Sequence, residues 1–138
     1  MTDAELTRQA AESVMGWTVY TTPGGNVNAR TPGEEHSVYT LEHNYGCGNT
    51  RWNPLISVSD AFLLVDALKT RQRASMVLGS NGCADQWTCW IVEGIWSLGR
   101  QQNEVPDVGD SYILGCATQP DPCRAITLAC IAAAKAGK

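Results

Sequence analysis

Trp87-Thr88-Cys89-Trp90-Ile91-Val92-Glu93-Gly94-Ile95-Trp96-Ser97 decides the fold. It holds three of the chain's five tryptophans. Aromatic and β-branched residues suit a pleated, half-buried surface. Read as a strand, the run puts Trp87, Cys89, Ile91, Glu93 and Ile95 on one face and Thr88, Trp90, Val92, Gly94 and Trp96 on the other. Both faces are mostly apolar, which predicts a central strand covered on both sides. Each buried indole removes roughly 150–250 Å² from water, so much of the core energy is expected here.

The segments around this strand supply its partners. Ala74-Ser75-Met76-Val77-Leu78 reads as a strand, with turn chemistry at Gly79-Ser80-Asn81-Gly82, so the two form a hairpin. Ser111 to Ala117 reads as the last strand, after a polar, turn-rich stretch from Gly99 to Gly109. Ser57, with Asp60 three residues on, opens a helix, and Ala61, Leu64, Val65 and Leu68 recur at helical spacing. Phe62 and Leu63 fall off that stripe and point to the long loop or another subunit. Asp121-Pro122 opens the final helix, with Asp as N-cap and Pro at the first helical position. Cys123, Ile126, Thr127, Cys130 and Ala134 share one face of it.

At the other end, Thr2-Asp3-Ala4-Glu5 has the form of a capping box. Its helix is expected to run to about Met15 and stop at Gly16, followed by a short strand, Trp17 to Tyr20. Thr21 to Asn53 is the least regular part, with turn chemistry at Pro23-Gly24-Gly25-Asn26 and Thr31-Pro32-Gly33 and one short strand at Ser37 to Thr40. A connection of that length is usually functional or mobile; the alternative is an insertion that caps a sheet edge. The expectation is a single domain over residues 1–138, α+β in class: an α/β/α sandwich with a small antiparallel sheet of about three or four strands, flanked by about three helices.

Composition bounds the function. The net charge of -4 gives no general attraction to nucleic acid or an anionic membrane. No apolar stretch approaches the ~20 residues of a membrane span, and no signal peptide is evident at Met1. The six cysteines read as free thiols acting as small buried apolar residues, which fits the cytoplasm.

Few residue sets could carry chemistry. His36, His43, Cys47 and Cys83 form one candidate metal set, but zinc sites bring closely spaced ligand pairs and a second pair is missing. Cys47 beside His36 or His43 lacks the surroundings of a cysteine nucleophile. No carboxylate pair is set by local spacing for acid–base work. The expectation is therefore no catalytic set, no metal and no cofactor. Arg51 before Trp52, and Arg71-Gln72-Arg73 after the second helix, point elsewhere: arginine beside an aromatic binds phosphate or stacks a base. Solvated helix-end charge is the plainer reading. Trp17, Trp87 and Trp90 are assigned to the core, Trp52 and Trp96 to surface positions.

The order of motifs carries a resemblance. Val14-Met15-Gly16-Trp17 follows the first helix, and Trp52-x-Pro54-x-x-Ser57-x-x-Asp60-Ala61 opens the second. A tryptophan-bearing hairpin comes next, then Pro122-Cys123-Arg124-Ala125-Ile126 and an alanine-rich helix. This arrangement resembles the phage ABA sandwich domain of small tailed-phage and prophage proteins. The family's Ala-Ile-Cys-Arg-Ala pattern is matched by Ala125-Ile126-Thr127-Leu128-Ala129, with Thr127 and Leu128 replacing Cys and Arg. The likeness spans nearly the whole chain and departs at Thr21–Asn53 and Gly99–Gly109. It implies a phage origin and helices flanking a small antiparallel sheet, and it carries over no enzyme activity.

The functional expectation is a non-enzymatic phage protein, a homo-oligomer in the host cytoplasm, that sequesters a nucleotide-type immune signal. His43, Tyr45, Arg51, Trp52 and Arg73 are the expected ligand-binding residues, aromatics to stack and arginines for phosphate. The alternative is a structural or protein-interaction module that contacts a virion or host protein through Phe62 and Leu63.

Overall fold

The computed structural model describes residues 2–23, 25, 27–32, 39–42, 50–80, 86–93 and 113–136. Helix α1 (Asp3–Gln9) begins with the expected capping box: Thr2 Oγ1 accepts from the Glu5 amide at 3.2 Å, and the Glu5 carboxylate accepts from the Thr2 amide at 3.1 Å. The helix does not run on unchanged to Met15. Ala10–Val14 widens into a π-helical turn, closed by a bond from the Met15 amide to the Ala10 carbonyl at 3.1 Å. Gly16 ends it at φ +72°, where a side chain would strain. Arg71, from a distant helix, donates to the Ser13 and Val14 carbonyls at 3.2 and 2.7 Å. Those are carbonyls a helix end leaves without partners.

Strands β1 (Thr18–Thr21), β2 (Val27–Arg30), β3 (Tyr39–Glu42) and β4 (Thr50–Arg51) form one sheet in that order. β1, β2 and β3 pair antiparallel, and β4 joins β3 in parallel. The Thr21–Asn53 segment, expected to be the least regular part, contains three short strands among its described residues, and the strand expected at Ser37–Thr40 lies two residues later. The pairing β2–β3 is fixed inside the sheet by a buried bond from Thr40 Oγ1 to Asn28 Oδ1 at 3.1 Å. Buried polar groups are stable only when paired in this way.

Helix α2 (Val58–Gln72) is N-capped by Ser57, whose hydroxyl accepts from the Asp60 amide at 3.3 Å. Ala61, Leu64 and Leu68 are fully buried, as their spacing predicts. Arg73 closes the helix in the left-handed region, φ 52°, and the chain turns directly into β5 (Ala74–Ser80). β5, β6 (Trp87–Glu93) and β7 (Ile113–Gln119) form the second sheet, antiparallel throughout with β6 central.

The expected centre is therefore in place. Cys89 and Ile91 are buried on one face of β6, and Thr88, Trp90 and Val92 on the other, with Trp90 7% exposed. Trp96 and the bend after Ser80 lie outside the described residues. The class is α+β, as the patterning predicts, with three α-helices among the described residues and strands that are antiparallel apart from the β3–β4 pair; they divide between two sheets where one was expected.

The most enclosed element is helix α3 (Pro122–Ala136). Asp121 caps it, its Oδ1 accepting from the Cys123 amide at 2.8 Å. Cys123, Ala125, Ala129, Cys130, Ala133 and Ala134 are all buried on it. It packs on β6, β7, α2, α1 and the π-helical turn. The helix lies so close to β7 that the Cβ of a side chain at Gly115 would meet the backbone of Ala129 and Ala133. A continuous core cluster links both sheets through these helices. Among the described residues no helix is long and apolar enough to cross a membrane.

Candidate functional site

Of the five expected ligand-binding residues, Arg51, Trp52 and Arg73 are described, and these three do not converge within the chain. His43 and Tyr45 lie outside the described residues, as do His36, Cys47 and Cys83. Trp52 is 0% exposed, which corrects its assignment to the surface. Its amide donates to the Thr40 carbonyl at 3.0 Å, which ties it beneath the first sheet. Its ring meets Trp17 edge-on, with centroids 4.9 Å apart, and Trp17 stacks on Tyr39 at 4.4 Å. This aromatic trio is core packing and offers a ligand no face. Trp52 Nε1 is buried without a hydrogen-bond partner among the described residues.

Arg51 and Arg73 stand at opposite ends of α2. The 15 residues of that helix span about 22 Å at 1.5 Å each, so the two guanidinium groups cannot clamp one small ligand within a single chain. Arg71 is used in bonding the π-helical turn. Arg73 serves as the α2 C-cap and is exposed.

Arg51 has a cavity beside it. About 320 Å³ is enclosed by Arg51, Asn53, Ile56, Ser57 and Asp60 at the N-terminal end of α2. The lining is built locally. Asn53 folds the chain into a turn: its Oδ1 accepts from the Leu55 amide at 3.0 Å, and its carbonyl accepts from the amides of Ile56 and Ser57. Asp60 Oδ2 accepts from the Asn53 amide at 2.8 Å, which fixes the turn to the first turn of the helix. The helix contributes the partial positive charge of its N-terminus and Arg51 a full one. Asp60 opposes them, though its carboxylate is already engaged. Arg51 is exposed and makes no hydrogen bond or ion pair with the described residues.

An apolar surface adjoins this cavity. Ile56 is 73% exposed, Val58 48% and Phe62 44%. Phe62 was legible as an off-stripe residue; Ile56 and Val58 were missed. The signal was present in the spacing. Ile56 precedes the N-cap, where an apolar residue ordinarily packs on the fourth helical residue. That residue is Ala61, fully buried and too small to hold it.

A second cavity, about 390 Å³, lies between α1 and α3 and is lined by Leu6, Gln9, Arg124, Leu128, Ile131, Ala132 and Lys135. Arg124 is occupied at its mouth by the Asp3 carboxylate.

The cysteines within the described residues are free. Burial pushes the Cys89 thiol up to about 12, and it raises those of Cys116, Cys123 and Cys130 as well. Nucleophiles need the opposite shift, toward thiolate at neutral pH. Among the described residues no three His, Cys, Asp or Glu side chains group as metal ligands. Compared with known protein families, with curated proteins and with solved structures, the chain matches none.

Proposed function

We propose that this protein works by binding rather than by catalysis, and that it takes an anionic, nucleotide-type small molecule in the cavity at the N-terminal end of α2. The observation that carries the reading is the exposed guanidinium of Arg51, unpaired among the described residues, lining that 320 Å³ space together with exposed Ile56. Arginine supplies bidentate contact to a phosphate, the helix end adds favourable potential, and Ile56 offers apolar contact to a base or sugar. The resemblance to phage ABA sandwich proteins supports a role in sequestering a nucleotide-type host immune signal in the host cytoplasm. Trp52 and Arg73 have no part in this site.

Calorimetry against cyclic nucleotides and ADP-ribose-type compounds tests the reading. At least one compound is expected to bind the wild type, with binding reduced tenfold or more in Arg51→Ala, about the 1.4 kcal/mol of one charge-assisted bond. A flat response across the panel overturns it.

A second reading is favoured by Ile56, Val58 and Phe62, whose exposure clusters at one end of α2. Exposed large apolar groups in contiguity mark protein contacts. On that reading a co-purifying virion or host protein is lost from Ile56→Asp and Phe62→Asp and retained by Arg51→Ala.

A further inference from the structure

The order β5-β6-β7 leaves β7 paired on one side only, among the described residues. A bare edge presents a row of N–H and C=O groups, and chains usually guard such rows with lysine, proline or very short strands. β7 reads Ile113-Leu114-Gly115-Cys116-Ala117-Thr118-Gln119, seven residues without a charge or a proline. The other edges are less available. β1 has four residues. On β5, Ser75 is already engaged in a further interaction.

The centre of β7 is Cys116, which is exposed. We propose that β7 pairs with β7 of a second copy of this chain, antiparallel about a two-fold axis through Cys116, so that two three-stranded sheets become one of six strands. This register is self-complementary. Cys116 opposes its own counterpart, Gly115 opposes Ala117, and Leu114 opposes Thr118. The small Gly115–Ala117 pairs fall on the face that α3 covers, where Gly115 already touches helix backbone and no bulk is tolerated. No like charges meet across the axis, which matters in a chain of net charge -4. The interface is isologous, as closed dimers require, and the contact would join the main chains of both copies without occupying either α2 cavity.

Directly opposed residues in an antiparallel pair have Cα atoms roughly 4.5–5.5 Å apart, within the span of a disulfide. Cys116 therefore reports the register. Light scattering of the reduced wild type is expected to give twice the 14.9 kDa chain mass. Diamide, which takes two electrons and two protons from a pair of thiols, is expected to lock that dimer. Cys116→Ser should remain dimeric but lose the lock. Cys116→Lys, which sets two ammonium groups against each other, should return to single-chain mass with its circular dichroism unchanged. If the lysine variant fails to fold, amide exchange on the wild type decides, since β7 amides must gain protection as concentration rises. A wild type of single-chain mass, a dimer indifferent to Cys116→Lys, or a diamide cross-link that survives in Cys116→Ser each overturns the proposal.

Discussion

Replacing Gly115 by alanine forces the tightest contact at any of the glycines Gly16, Gly79 and Gly115. The added Cβ would stand 2.7 Å from the Ala133 nitrogen and 3.2 Å from the Ala133 Cα, and closer still to the Ala129 carbonyl oxygen. Unstrained carbon contacts begin near 3.5 Å, so β7 and α3 must part by about 1 Å. The colliding atoms are main chain in the middle of a helix and cannot swing aside. Parting them loosens a boundary where Ile91, Ile126 and Cys130 are all but fully buried. Overpacking of this kind costs about 1–3 kcal/mol, and the opened core adds to it. We expect a loss of about 3 kcal/mol in urea unfolding, and a fall in Tm of about 10–15 °C for a chain of this size. Ala133→Gly should not rescue the variant, because removing a side chain leaves the offending backbone in place. Gly79→Ala is the control: there the Cβ meets only the Trp90 ring, at 3.9 Å. It should be neutral, or stabilising by about 0.4–1 kcal/mol through reduced freedom of the unfolded chain. A Gly115→Ala protein within about 0.5 kcal/mol of wild type would refute the close packing of β7 on α3.

Three further outcomes follow from the same packing. Trp52→Phe should lower stability by about 1 kcal/mol, less than the roughly 3–5 kcal/mol of Trp52→Ala, because it also removes an indole N–H without a partner; equal losses in urea titrations would contradict this. Arg71→Ala withdraws both bonds to the π-helical turn and should cost about 1–2 kcal/mol, with faster hydrogen exchange at Met15 and Trp17 as the local readout. The Cys89 thiol, moved from the usual 9.0 to about 12, stays protonated in the fold at a pH where the unfolded chain ionises. Its contribution is complete below pH 9 and is lost as pH rises toward 12, at about 1.4 kcal/mol per unit. Cys89→Ala should flatten that slope in urea titrations between pH 8 and 10.

What could be read from the chain was mostly local. The caps at Thr2, Ser57 and Asp121 are decided within three residues, and each makes the bond its spacing implies. The Trp87–Glu93 strand was legible because both its faces are apolar. Of the first sheet, β1 and β3 were legible to within two residues, and β2 and β4 were not. Val27-Asn28-Ala29-Arg30 holds one β-branched residue, and its pairing depends on Asn28 meeting Thr40 from another strand. Trp52 looked like a surface residue because it stands beside a helix start, whereas its burial is decided by Trp17 and Tyr39 far up the chain. For the site, Arg51 was legible as a phosphate-binding candidate, but the cavity beside it comes from the Asn53 turn and the unstapled Ile56. Grouping Arg73 with Arg51 overlooked the helix length between them, which the sequence did contain.

The enclosure of α3 bears on how the chain is made. The helix follows these elements in synthesis order, yet it is the surface on which β6, β7, α2, α1 and the π-helical turn pack. A ribosome stalled before Pro122 would hold β6, β7, α1 and α2 without the helix that packs on all four. Nascent chains of that length should therefore be open to protease and chaperone, and should become resistant abruptly once the alanine-rich turns emerge from the exit tunnel.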